Sequence, residues 1–333
     1  MNSQAERSKR AVCFALSLDT GFNSFLNSIK KEAVMIGQVH SVFKRVVNFQ
    51  DHNQQIYSIL QRDIDNQPYS IRVDQSGFDN FLELPISVGQ AVIIKNGSLE
   101  IKGAFIIKFE QRELWEPEKL KIYPDQTTVS LFKKNIKIYN KCLLLSGVNG
   151  GGKYYYLRNH GHLKRLSTPS HLEKELDRRI GSFLFKLNNQ AKGLKDSILS
   201  IIGLGNGLTP AGDDFISGFI SVLNLIQEPK VSLTLQQIKE ILKNNDLSTT
   251  ELSLTMIRAS LEGRISENLK DLIGGLVDSE DLHLVHKIKQ VFSMGFSSGT
   301  DLSIGVVIGL MYGLDILGKW RQIDVIKNYY QKK

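Results

Sequence analysis

Gln90-Ala-Val-Ile-Ile-Lys95-Asn96-Gly97-Ser98-Leu-Glu-Ile101 is the stretch from which the first half of the chain can be read. Two short aliphatic runs flank Asn-Gly, the dipeptide that accepts two consecutive positive φ angles and so joins strands of matching twist. A hairpin is predicted there. Further runs of the same texture lie to either side, at Val39 to Phe49, Gln55 to Leu60, Tyr69 to Val73, Ser98 to Phe109 and Thr128 to Ile138, separated by Asn, Asp, Gly and Pro. This spacing predicts an antiparallel β barrel or sandwich over residues 34–150, with residues 1–33 as an N-terminal extension carrying a helix at about Phe22 to Lys31.

From Pro169 onward apolar residues recur every three or four positions, which predicts helices. They fall at His171 to Asn188, Lys192 to Ile201, Pro210 to Ile226, Leu235 to Asn244, Thr249 to Glu262, Ser266 to Leu272, Asp281 to Phe292, Asp301 to Leu317 and Gln322 to Tyr330. Glu228-Pro229 should end the helix begun at Pro210, and Ser248-x-x-Glu251 should box the start of a later one. The expected class is α+β, a β barrel or sandwich followed by an α-helical domain over residues 151–333, with the change of texture near residues 145–168.

Composition narrows the function classes. The 333 residues, 41% hydrophobic, can furnish a substantial core. The net charge of +8 suits anionic partners, but the basic residues are spread along the chain without a nucleic-acid-binding module pattern, so no nucleic-acid partner is expected. Cys13 and Cys142 are the only cysteines, which predicts a reducing, cytoplasmic compartment. The apolar run Ala11 to Leu18 after Arg7 and Arg10 is too short for a secretory signal, and glycines and Asp315 interrupt Leu302 to Leu317, so no membrane span is expected. The seven histidines show no metal-ligand spacing, and neither a Gly-x-Ser-x-Gly elbow nor His-Glu-x-x-His occurs.

Chemistry concentrates in Gly203-Leu-Gly-Asn-Gly-Leu-Thr-Pro-Ala-Gly-Asp-Asp214. Gly203, Gly205 and Gly207 permit left-handed backbone and close main-chain approach to a ligand. Thr209-Pro210 reads as an N-cap and first helical position, which places Asp213 and Asp214 in the first turn of a helix. The acids can satisfy the helix dipole, bind a cation such as Mg²⁺, or accept hydrogen bonds from a substrate's N–H groups while the glycine loop holds its anionic end. A related string, Gly295-Phe-Ser-Ser-Gly-Thr-Asp301-Leu-Ser-Ile-Gly305, repeats the pattern of glycine, hydroxyls, Asp, and Gly four residues on. The helices after Asp214 and Asp301 are therefore expected to pack as a pseudo-symmetric pair around one pocket, with Thr249, Thr250 and Ser253 adding hydroxyls. Gly147-Val-Asn-Gly-Gly-Gly-Lys153 matches seven positions of a P-loop but continues Tyr154-Tyr-Tyr-Leu157, and reads as a glycine turn between two strands.

Gly207-Leu-Thr-Pro-Ala-Gly-Asp-Asp214 resembles the Gly-Leu-Thr-Pro-Ser-Gly-Asp-Asp signature of the bacterial AllH-like family, first known as a domain of unknown function. The likeness extends to Thr249-Thr-x-x-Ser253, to Ser298-Gly-Thr-Asp301 and, more weakly, to Gly37-Gln-Val-His-Ser-Val-Phe43 with Asn48. It implies a subunit of oxamate carbamoyltransferase, which in allantoin and purine nitrogen breakdown converts oxalurate and phosphate into oxamate and carbamoyl phosphate and needs two further, different subunits. It also implies catalytic roles for Asp213, Asp214 and Asp301, and substrate contacts from Gly205, Asn206, Gly207, Thr209, Gly212, Thr249, Thr250, Ser253, Ser298 and Gly299. No cofactor is assigned beyond the Mg²⁺ alternative. Ala211 replaces the signature's Ser, and the Ser-x-Arg-Thr-Arg phosphate motif of ordinary transcarbamoylases is absent. The other reading is a non-catalytic subunit that binds a small carboxylate or amide, or scaffolds a related complex.

Overall fold

The computed structural model describes residues 11–29, 34–74, 78–110, 112–117, 120–160, 167–277 and 283–315. The expected helix Gln322 to Tyr330 lies outside them. The chain forms two compact units that divide after Pro117.

The first unit holds β1 (Ala11–Asp19), α1 (Thr20–Ser28), β2 (Val34–Val42), β3 (Val46–Gln50), β4 (Ile56–Gln61), β5 (Ser70–Val73), β6 (Ala91–Lys95), β7 (Ser98–Ile101), β8 (Phe105–Lys108) and β9 (Glu113–Trp115). Eight strands close into a barrel in the order β1-β5-β4-β3-β2-β6-β7-β8, and β9 extends it along β1. Most pairs are antiparallel, as expected. β1 with β8 and with β9, and β4 with β5, are parallel. Asn96 and Gly97 have φ of 49° and 67° and bring Lys95 opposite Ser98, so the hairpin that decided the reading is present.

Alternating side chains fill the barrel, among them Val47, Phe49, Ile59, Ile71, Val92, Leu99, Phe105 and Ile107. Phe22 of α1 packs its ring against Phe49 and Tyr57. Gly37 is required because a Cβ there would strike the Gln50 carbonyl, and the Asn48 amide donates to Ser41 Oγ at 2.9 Å across β2 and β3. The weaker early part of the resemblance thus falls on a barrel seam.

Three expectations are corrected in this unit. Residues 11–19 are a strand rather than part of an extension, with Cys13 and Ala15 buried while Val12, Phe14 and Leu16 face outward. The run Val39 to Phe49 is two strands, turned where the Phe43 N–H reaches the Val46 carbonyl. Ser98 to Phe109 is also two, turned at Gly103 with φ of 86°.

The second unit is helical: α2 (Gln126–Ser146), α3 (Lys153–Asn159), α4 (His171–Asn188), α5 (Leu194–Leu199), α6 (Ala211–Leu225), α7 (Pro229–Lys243), α8 (Glu251–Leu261), α9 (Glu267–Val277), α10 (Leu284–Phe292) and α11 (Ser298–Asp315). Thr128 to Ile138, expected as a strand, lies inside α2. Its β-branched composition suggested extension, but Val129, Phe132, Ile136, Tyr139 and Leu143 share one buried helical face, and Asp125 caps the start through the Thr128 N–H. The division between the units therefore precedes the 145–168 region. Tyr154 to Leu157 also turns out helical, with Tyr155 and Tyr156 buried, so the glycine string ahead of it joins two helices rather than two strands.

α6 and α11 form the centre of this unit and are buried almost throughout. A Cβ on Gly218 would strike the Leu302 carbonyl, and one on Gly305 would strike the Phe215 carbonyl. One sequence interval separates Asp214 from Asp301, Phe215 from Leu302, Gly218 from Gly305 and Phe219 from Val306. The contact is therefore reciprocal, as in a local two-fold, and the expected pairing of these helices is observed.

Candidate functional site

The glycine loop folds as its composition requires. Gly203, Gly205 and Gly207 have φ of 73°, 145° and 88°. A Cβ on Gly205 would meet the backbone of Pro210 and Ala211, so the loop doubles back over the start of α6. That helix begins at Ala211 with Pro210 as its cap residue, and no side chain caps it. Thr209, expected as the N-cap, instead places Oγ1 2.6 Å from Ser298 Oγ. Because proline's fixed φ already sets the helix entry, Thr209 is free to face α11.

Asp213 ties three segments together. Its Oδ1 accepts the Gly203 N–H at 2.7 Å, and its Oδ2 accepts the Thr249 hydroxyl. Thr250 caps α8 by accepting the Ser253 N–H at 3.1 Å and donates to the Leu208 carbonyl at 2.5 Å. The cap of α8 is thus Thr250 and not the expected Ser248, two residues nearer the helix. Burial raises the Asp213 carboxyl above the usual carboxylate range, against the opposing bonds from Thr249 and Gly203.

Asp214 and Asp301 occupy corresponding positions in α6 and α11, and are 2% and 1% exposed. Asp301 Oδ1 accepts the Gly152 N–H at 2.7 Å. Asp301 Oδ2 and Asp214 Oδ2 have no hydrogen-bond partner among the described residues, and neither has Ser253 Oγ. Burial pushes Asp301 up to about 7, although the Gly152 N–H and Ser297 act in the opposite direction. Burial and the neighbouring Asp301 carboxylate hold Asp214 well above its ordinary range, so the pair favours a proton over two charges. Unsatisfied buried carboxylate oxygens are costly, and acids placed in this way are candidates for accepting N–H groups or exchanging a proton.

The structure brings Thr209, Asp213, Asp214, Thr249, Thr250, Ser253, Ser298 and Asp301 into this one cluster, through the bonds just described and, at Asp214, through the Ser298 and Thr209 hydroxyls, which oppose the effect of its burial. The other candidates lie differently. Gly212 and Gly299 sit where a Cβ would strike the Ile201 and Val291 carbonyls, which makes them packing positions. Asn206 and Gly207 are exposed on the loop, with nothing near Gly207. Among the described residues no three His, Cys, Asp or Glu side chains come together as a metal-binding group.

Sequence reasoning set one segment aside that the structure places against the aspartates. The loop from Gly147 to Gly152 presses on Asp301, where a Cβ on Gly151 would strike the carboxylate. Val148 N–H donates to Thr300 Oγ1 at 3.1 Å, and Gly150 N–H donates to Glu173 at 3.1 Å. Lys153 is buried and donates to the Gly147 carbonyl at 2.6 Å. The available signal was the glycine density itself, discounted because the tyrosines that follow favour strand.

A family model described as oxamate carbamoyltransferase subunit AllH matches residues 201–310. A second, described as the AllH family N-terminal domain, matches residues 14–114. No solved structure matches the chain.

Proposed function

The chain belongs to the AllH family of oxamate carbamoyltransferase subunits, and from that premise we propose that the Asp214–Asp301 cluster is where its complex holds the ureido substrate. The observation that carries this is the pair of buried carboxylates, on adjoining helix starts, that each keep an unpartnered oxygen. Oxalurate has the complementary chemistry. Its ureido N–H and N–H₂ groups donate to Asp214 Oδ2 and Asp301 Oδ2, and its carboxylate end lies against the glycine loop that Asp213 fixes.

In the reaction, a phosphate oxygen bonds to the terminal ureido carbonyl carbon, and main-chain N–H groups stabilise the oxyanion that develops. The bond from that carbon to the oxamate nitrogen then breaks. Asp301, an acceptor in the bound complex, takes the proton of the attacking phosphate and passes it to the leaving nitrogen, so oxamate and carbamoyl phosphate form without net proton change. A carboxyl poised near neutrality suits both transfers. Asp213 acts as a positioning residue through Gly203 and Thr249. Two other subunits complete the enzyme in allantoin and purine nitrogen breakdown, in the cytoplasm. No helix among the described residues is long and apolar enough to cross a membrane.

Calorimetric titration of the full chain with oxalurate, oxamate and carbamoyl phosphate tests this, with Asp214→Asn alongside. The expected result is binding that weakens at least tenfold in the variant, with loss of activity in the reconstituted complex. Binding with undiminished complex activity in Asp214→Asn would favour the non-catalytic ligand-binding subunit. Absence of binding together with unchanged activity would overturn the site.

A further inference from the structure

The local two-fold extends beyond α6 and α11. Asp213 and Thr300 occupy corresponding positions just ahead of the paired aspartates, and each holds a loop that leads into another helix. Asp213 holds Thr249 ahead of α8, and Thr300 holds Val148 ahead of α3. The Gly147–Lys153 loop therefore stands toward Thr300 as the Thr249–Ser253 segment stands toward Asp213. We propose that this loop is the oxyanion arm of the pocket, with Lys153 and the Gly151 N–H taking the phosphate group of the reaction. The identity of that anion rests on the carbamoyl-transfer reading; the location of the arm does not.

The two arms differ in chemistry. One presents hydroxyls beside a carboxylate whose two oxygens are both bound, and it suits an amide or carboxylic end. The other presents the Gly151 amide, between Gly150 and Gly152 whose N–H groups go to Glu173 and Asp301, and a buried ammonium. A phosphate group carries oxygens that need donors and has no N–H to offer the aspartates. Gly151 N–H makes no hydrogen bond among the described residues, and the Gly147 carbonyl takes one of the three Lys153 donors. Asp301 Oδ2, buried and unpartnered, faces Gly151. Its raised pKa lets it carry a proton toward an oxyanion below neutrality, while Glu173 favours the charged form of Lys153 against its burial. Residues 147–153 lie outside both family matches.

The test uses the full-length protein and inorganic phosphate, with carbamoyl phosphate as a second arm. Phosphate should shift the backbone amide resonances of Gly151 and Gly152 in the wild-type chain. Lys153→Gln should lose at least tenfold in phosphate affinity with oxamate affinity changed less than twofold, and Lys153→Arg should recover most of the loss. Carbamoyl phosphate binding should weaken in parallel. An unchanged phosphate affinity in Lys153→Gln, no phosphate binding by the wild type, or amides of residues 149–153 unmoved at saturation would each overturn the proposal. The wild-type resonances decide the matter if the glutamine variant does not fold. Phosphate binding through Lys153 without any binding of oxalurate or oxamate would leave the arm standing and remove the carbamoyl-transfer reading; the reverse pattern would do the opposite.

Discussion

Asp19 in the barrel and Asp301 in the helical unit are both carboxylates at most 2% exposed, and both stand at the start of a helix. Asp19 Oδ2 accepts the Phe22 N–H at 3.0 Å as the cap of α1 and the Tyr69 N–H at 2.8 Å from the turn just ahead of β5. Asp301 accepts one N–H and leaves its other oxygen bare, as Asp214 does in the matching helix. Burial alone therefore does not mark a functional acid. The distinction lies in how much of the buried group the fold itself satisfies: Asp19 is used up by architecture, whereas Asp214 and Asp301 hold capacity in reserve.

Substitution separates the two kinds of acid most sharply. Asp214→Asn or Asp301→Asn should lower carbamoyl transfer by the complex about 10²–10⁴-fold, the usual contribution of a positioned acid–base group. The melting temperature should hold near pH 5, where the fold keeps protons on the pair, and rise only above pH 7 for Asp301→Asn, where a buried charge is removed. A melting temperature that collapses along with activity would break the comparison. Next in size, Gly305→Ala should cost about 3 kcal/mol in urea unfolding of the helical unit, since the new Cβ meets the Phe215 carbonyl, a backbone atom that cannot step aside. Asp19→Ala should cost about 2 kcal/mol through the lost cap and the two N–H groups it orphans, with little direct effect on ligand titrations.

The smallest expected effect is a pH slope. Asp301 has its pKa raised to about 7 in the folded chain, so between the ordinary carboxylate range and pH 7 the folded state binds more protons than the unfolded one. Its contribution to stability is greatest below that range and is lost as pH rises toward 7, at no more than about 1.4 kcal/mol per pH unit. Asp214 and Asp213 are shifted the same way and act in the same direction. Melts from pH 5 to 8 should show the decline, and Asp301→Asn should flatten it.

Sequence resolved these regions unevenly. The barrel was readable because Asn96-Gly97 and the short strands carry local signals, and the two-copy motif was readable because Asp214 and Asp301 share spacing with Gly218 and Gly305. α2 was not, since valine, isoleucine and threonine favour strand unless a buried face says otherwise, and that face exists only in the packed unit. The Gly147–Lys153 loop was discounted for a similar reason, because its significance comes from meeting Asp301, 149 positions away along the chain. The parallel pairs of β1 and β4 leave no pattern that distinguishes them from antiparallel ones.

The placement of β1 also has a temporal side. Its partners are β5, β8 and β9, which end at Val73, Lys108 and Trp115. β1 is synthesised before these partners, so Cys13, Ala15 and Leu18 wait unsheltered until roughly a hundred more residues have been made. Closure of the barrel is a late, long-range search that sets a slow pace for this unit, while most helices of the second unit can form from neighbours a turn or two away.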